Sequence, residues 1–241
     1  MRERYTMGES NAGEEPQPWL AIVGPTCSGK TWFAGELIRR FPLELVNLDS
    51  FQVFSQFQIG TGRADMTVGP AHLYGFTDPR EPLSPRRYGE LVREVVEEIA
   101  LRGRRPLFEG GSISFLRELL RIHPLRLVGI RPMTDEASEA LIMKRLSSYP
   151  FEALVREIRH ALESGYRDTI VLSDNVVYLP VVQYLEGQAD LDETIDRMRR
   201  NLVERQRTQM REYEPFDIQW FDASRESLPA LIRVVEEVLG G

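Results

Sequence analysis

"WLAIVGPTCSGKTWFAGELIRRF", residues 19–41, runs from an apolar strand through a glycine-bounded loop into a helix. The loop is Gly24, Pro25, Thr26, Cys27, Ser28, Gly29, Lys30 and Thr31, and it fits the pattern G-x-x-x-x-G-K-[ST]. Glycines let backbone N–H groups point inward, the helix N-terminus favours an anion, and the Lys30 ammonium neutralises it. Adjacent phosphates suit such a cradle. Thr31 adds a hydroxyl for magnesium.

Working outward, "PLELVNLDS" reads as a second apolar strand ending at Asp49. The segment 51–85 has too many turn residues for a helix. Tyr88, Leu91, Val95 and Ile99 then recur at helical spacing within 85–102. Strands follow at 106–109 and 125–130, with a helix at 112–121 between them. Beyond about residue 134 the pattern is mainly helical, over 135–147, 151–163, 176–186 and 192–213. "IQWFDAS" suits a last short strand, and 228–239 a closing helix. Alternating strands and helices predict an α/β fold, a P-loop NTPase-like parallel sheet wrapped by helices with a helical C-terminal part. Ligands of such sheets bind at the carboxyl ends of the strands. Residues 24–31, Asp49 and Gly110, Gly111 and Ser112 all lie just past strand ends, so they converge on one cleft.

The 241 residues suit a single domain over 19–241, preceded by a disordered lead-in at 1–18 that lacks the apolar core of a signal peptide. No apolar run approaches the roughly 20 residues of a membrane span. Cys27 is the one cysteine, which fits a reducing cytoplasm. A net charge of -7 argues against a large nucleic-acid-binding surface. The basic residues are 28 Arg against only Lys30 and Lys144, a bias that codon usage explains. A lysine kept under that bias suggests a task for a compact ammonium.

Asp49 reads either as a magnesium-binding acid or turn cap, or as a general base for an acceptor. The "GTGR" turn, with Thr61 and Arg63, suits a second phosphate. Ser112 reads as an N-cap or as a site hydroxyl. His72, His123 and His160 show no metal spacing.

"GPTCSGKT" (24–31), "LVNLDSFQVFSQFQIGTGRAD" (45–65), "RPLFEGGSISFL" (105–116), "VVQYLEG" (181–187) and "ERQRTQM" (204–210) occur together and in this order. The series resembles the isopentenyltransferases of adenine, comprising tRNA dimethylallyltransferases and the adenylate enzymes that make cytokinins. The resemblance implies that the loop holds a prenyl diphosphate with Mg2+ at Thr31, and that an adenine amine displaces pyrophosphate. Asp49 then matches the acid that takes the amine proton. Lys30, Ser112, Arg205 and either Lys144 or Arg145 contact the diphosphate beside the loop. Ser50, Thr61, Arg63, Gly110 and Gly111 hold the acceptor nucleotide. Too few residues separate the 112–121 helix from the next strand to hold the inserted domain of the tRNA enzymes. Size and acidic balance therefore point to free AMP as acceptor, with small-molecule substrates, no tRNA-binding domain and no membrane association. An apolar Leu202 or Val203 on the last long helix favours dimethylallyl over a hydroxylated tail. One departure stands out: Val177, Tyr178 and Leu179 occupy the place where the family often reads Gly-Tyr-Arg, so a cation is lost. A P-loop small-molecule kinase, or a prenyltransferase with a different amine acceptor, are the alternative readings.

Overall fold

The computed structural model describes residues 16–63, 69–172 and 175–240. The expected lead-in therefore lies almost wholly outside the described residues.

Six parallel strands form one sheet: β1 (Trp19–Val23), β2 (Leu43–Asn47), β3 (Ala71–His72), β4 (Arg105–Gly110), β5 (Leu125–Arg131) and β6 (Gln219–Asp222), in the order β3-β2-β4-β1-β5-β6. Both faces are covered, which is why the strands are apolar along their whole length rather than at alternate positions. Leu20, Ile22, Leu45, Leu107, Val128 and Ile130 face α1 (Lys30–Ile38) and α9 (Leu228–Gly240), meeting Phe33, Leu37, Leu231 and Val235. Ala21, Val23, Val46, Phe108 and Leu127 face the other way. There they meet Tyr88 and Val92 of α2 (Pro85–Leu101) and Phe115 and Leu119 of α3 (Ile113–Ile122).

Between β5 and β6 the described residues make five helices: α4 (Asp135–Ser148), α5 (Phe151–Glu163), α6 (Arg167–Leu172), α7 (Tyr178–Leu185) and α8 (Leu191–Tyr213). Ahead of β5 only two residues separate α3 from the strand, so the helical part of the chain comes after β5. A capping box starts α8, the Asp190 carboxylate accepting from Glu193 N while the Glu193 side chain accepts from Asp190 N. Among the elements not anticipated are β3 and α6. β3 has two residues inside a Gly/Pro-rich segment, and α6 has six, so neither is long enough to show a period.

Glu44 enters the sheet as a charge at an otherwise apolar position of β2. Its carboxylate accepts from Arg102 Nε at 2.9 Å and Arg102 Nη2 at 2.7 Å, with His72 Nε2 at 2.7 Å. The Arg102 guanidinium, with His72 assisting against the cost of burial, holds the Glu44 carboxyl below its usual 4.5, at about 2. A depressed carboxylate contributes stability that is fully present above its unfolded value and is lost as pH falls toward the folded one. Arg102→Ala should therefore destabilise the protein at neutral pH, by less than breaking a fully buried pair would, because the Arg102 side chain is half exposed and His72 and Arg104 remain nearby. Part of that difference should disappear between pH 4.5 and 2 in urea denaturation of both proteins.

Candidate active site

The phosphate loop is held from behind by α8. Tyr213 Oη accepts from Gly24 N and donates to Gly24 O, both at 3.2 Å. Gln209 Oε1 accepts from Thr26 N at 2.8 Å, and Gln206 Nε2 donates to Thr26 O at 2.6 Å. These three side chains continue the buried stripe Thr194, Met198 and Leu202, so the face of α8 that starts as core ends as a clamp on the loop. Inside the loop Cys27 adopts φ 60, and the Lys30 ammonium, only 9% exposed, donates to Pro25 O at 2.7 Å. Burial lowers the Lys30 pKa from its ordinary value, while the charges of Glu109 and Asp49 oppose the shift.

Asp49 sits two residues beyond β2, on a turn that Asn47 fixes. Asn47 Oδ1 accepts from Asp49 N at 2.9 Å, and Asn47 Nδ2 donates to Asp49 O and Leu73 O. Asp49 Oδ1 accepts from Phe51 N at 2.8 Å and from Gln52 N at 3.3 Å. Both readings of Asp49 thus have a basis: one oxygen caps the turn, and the residue still lines the cavity. Ser112 shows the same duality. Its Oγ accepts from Phe115 N at the start of α3 and lies 3.1 Å from Ser114 Oγ, while the residue borders the cavity.

That cavity, about 960 Å³, lies between the strand ends and the helical part, and Thr26 brings the phosphate loop to its edge. Ser50, Thr61, Gly111, Arg145 and Arg205 line it, as does Leu179 at the departure from the family pattern. Leu179, Pro180 and Leu202 form an apolar stretch of wall, with Leu202 and not Val203 facing in. Arg145 reaches the cavity from α4. Its Nε donates to Tyr149 Oη at 2.9 Å, and its guanidinium fills the space over Gly62, where a Cβ would lie 1.7 Å from Nη2 at a φ of +64. Arg197 and Arg205 line the same cavity as Leu179, where the resemblance implies that a cation is missing.

Several expected contacts are corrected. Lys144 is exposed on the outer face of α4 and does not line the cavity, because one helical step carries it away from Arg145. Arg63 donates from Nη1 to Phe54 O at 2.9 Å and packs over Gly75, so it holds a loop rather than facing the cavity. The Thr61 hydroxyl is spent on Phe57 O and Gln58 O. The amides leading into the Gly-rich turn are taken as well: Gln58 N, Ile59 N and Gly60 N all donate to the Glu157 carboxylate of α5, at 2.8, 2.8 and 3.2 Å. Gly110 has a packing role, since a Cβ there would lie 2.3 Å from Leu48 O.

Magnesium takes hard oxygens and commonly keeps only one or two protein ligands beside substrate phosphates. No group of three or more His, Cys, Asp or Glu able to hold a metal occurs among the described residues. The Thr31 hydroxyl, beside the Glu109 carboxylate, fits a cation that arrives with a diphosphate.

Gln209, Tyr213, Arg197 and Glu109 were not singled out from the sequence. A signal existed for the first two, because they are polar groups at core positions of an amphipathic helix.

Residues 52–144 match the family model described as IPP transferase. A tRNA dimethylallyltransferase of Dehalococcoides mccartyi is 24% identical over 321 residues, covering 99% of this chain and 98% of the relative. That alignment exceeds the 241 residues of this chain, so the relative carries segments without counterpart here. A tRNA dimethylallyltransferase of Solibacter usitatus is 38% identical over 143 residues, 54% of this chain and 47% of that one. Among solved structures, the full-length tRNA isopentenylpyrophosphate transferase of Bacillus halodurans superimposes with a TM-score of 0.80 at 20% identity, covering 93% of this chain and 97% of that one. A eukaryotic dimethylallyltransferase acting on tRNA gives 0.62 at 16% identity, covering 91% and 78%. These relatives overturn the expectation of free AMP as acceptor and of no tRNA partner. The acidic balance misled because overall charge says little about one cleft: Arg117, Arg145, Arg197 and Arg205 line this cavity although the chain carries -7. No helix among the described residues is long and apolar enough to cross a membrane.

Proposed function

We infer that this chain is a homologue of the tRNA dimethylallyltransferases, of the IPP transferase family, and that it moves a dimethylallyl group from its diphosphate to the exocyclic amine of an adenine in tRNA. The observation that carries the reading is Asp49 in the wall of a large cavity whose edge is the phosphate loop, with an apolar stretch beside it. The allylic C–O bond breaks, the amine nitrogen bonds to the allylic carbon, and pyrophosphate leaves with the bonding pair. Lys30 and the loop amides stabilise the charge growing on the departing oxygens. Arg145 and Arg205 face the same space from the helical part. Asp49 accepts the proton that the alkylated nitrogen sheds. Leu179, Pro180 and Leu202 exclude water from the allylic tail and give it an apolar seat. Magnesium, held at Thr31 when bound, supplies further positive charge to the diphosphate.

A phosphoryl-transfer reading shares the loop but not the relatives, and is not favoured. The test incubates the protein with Mg2+ and dimethylallyl diphosphate, offering unmodified tRNA, AMP and other amines in parallel, with ATP as a separate donor. Mass spectrometry of digested tRNA should show a prenylated adenosine. Label on AMP or another amine with none on tRNA would remove the acceptor assignment. Phosphate transfer from ATP would remove the reaction class.

A further inference from the structure

We propose that Glu109 is a positioning residue for the diphosphate site, acting through the Thr31 hydroxyl. Glu109 is the penultimate residue of β4, the strand between β1 and β2, with Cα partners Ile22 and Asn47 in the two neighbours. Leu107 and Phe108 before it are fully buried, and Glu109 is 4% exposed. An apolar side chain would suit that position better, since a carboxylate out of water costs several kcal/mol unless partnered.

The Glu109 carboxylate is met from the site itself: Thr31 Oγ1 donates to Glu109 Oε1 at 3.2 Å. A hydroxyl has a single hydrogen and two lone pairs. With the hydrogen directed at Glu109, Thr31 presents only lone pairs elsewhere, which is the state a cation requires. Without an acceptor behind it, the hydroxyl is free to turn its hydrogen toward the cation or to seek a backbone carbonyl. Lys30 lies close enough for its charge to act on Glu109, so the carboxylate also serves the ammonium. The buried Tyr74 hydroxyl lies beside Glu109, and burial, with the charges of Glu109 and Asp49, disfavours its ionisation. Thr31, Lys30, Asp49, Glu109 and Tyr74 therefore form one polar cluster at the loop.

This rests on the diphosphate reading of the loop but not on the acceptor, so the test uses Mn2+ with inorganic pyrophosphate and no acceptor. Binding is read by electron paramagnetic resonance and calorimetry on the full chain, and folding by thermal melts. Glu109→Gln keeps an acceptor oxygen and should leave Mn2+ affinity in the presence of pyrophosphate within about threefold. Glu109→Val removes it and should weaken that affinity 10- to 100-fold, as losing a second partner of a metal ligand does. Thr31→Val should produce a similar loss, and the double variant little more than either single one. Additive losses would overturn the proposal, as would a Glu109→Val protein that binds like the parent. Equal losses in the Gln and Val variants would also overturn it, because the charge would then act on the cation directly. If the parent binds Mn2+ and pyrophosphate but prenylates nothing, the proposed reaction fails while this inference is still decided.

Discussion

Asp49→Asn should lower turnover by about 10²–10⁴ while leaving dimethylallyl diphosphate affinity within a few-fold. The asparagine oxygen can still accept from Phe51 N and Gln52 N, so the turn that Asn47 anchors should persist. What the amide cannot do is take a proton. Alanine is the worse substitution, because it would remove the turn cap together with the base. Single-turnover measurement of product, with donor binding followed separately, separates these effects. An Asp49→Asn protein with parental turnover would leave Asp49 as a turn residue only.

Lys30→Met should cost about 10²–10³ in kcat, the scale of losing one donor to a developing oxyanion. It should also raise the KM for the diphosphate. The lysine is well placed for such an effect: it is buried, its pKa is lowered chiefly by desolvation, and nearby Glu109 and Asp49 favour its charge. Lys30→Arg should not restore the rate, because a planar fork cannot replace a compact ammonium that already reaches Pro25 O within the loop. Rates at saturating donor check both variants, and circular dichroism confirms that the sheet is intact. Restoration by arginine would reduce Lys30 to a general positive charge.

The sheet was legible because its strands obey simple rules. Residues 19–23, 106–109 and 125–130 are short apolar runs bounded by turn residues, and all three became central strands. The helix at 151–163 matched to the residue, its Leu154, Ile158 and Ala161 spaced as one buried face. The loop at 24–31 was legible as a pattern because its backbone conformation demands those residue types. Side-chain direction was not. Lys144 and Arg145 are neighbours in sequence, and only the packing of α4 decides that Arg145 turns inward. Thr61 and Arg63 looked like ligands because their composition suits phosphate, but their donors satisfy carbonyls of their own segment. Long-range partners left no local trace, so the capture of the 58–60 amides by Glu157, about a hundred residues on, was invisible.

The grip of Tyr213 on Gly24 spans 189 positions of chain. During synthesis the loop is made well before the groups that fix its backbone. A nascent chain truncated anywhere between the loop and α8 carries the phosphate-binding sequence without its brace. Competence to seat a substrate thus waits on the helical segment, and a cut there would be felt at the phosphate loop.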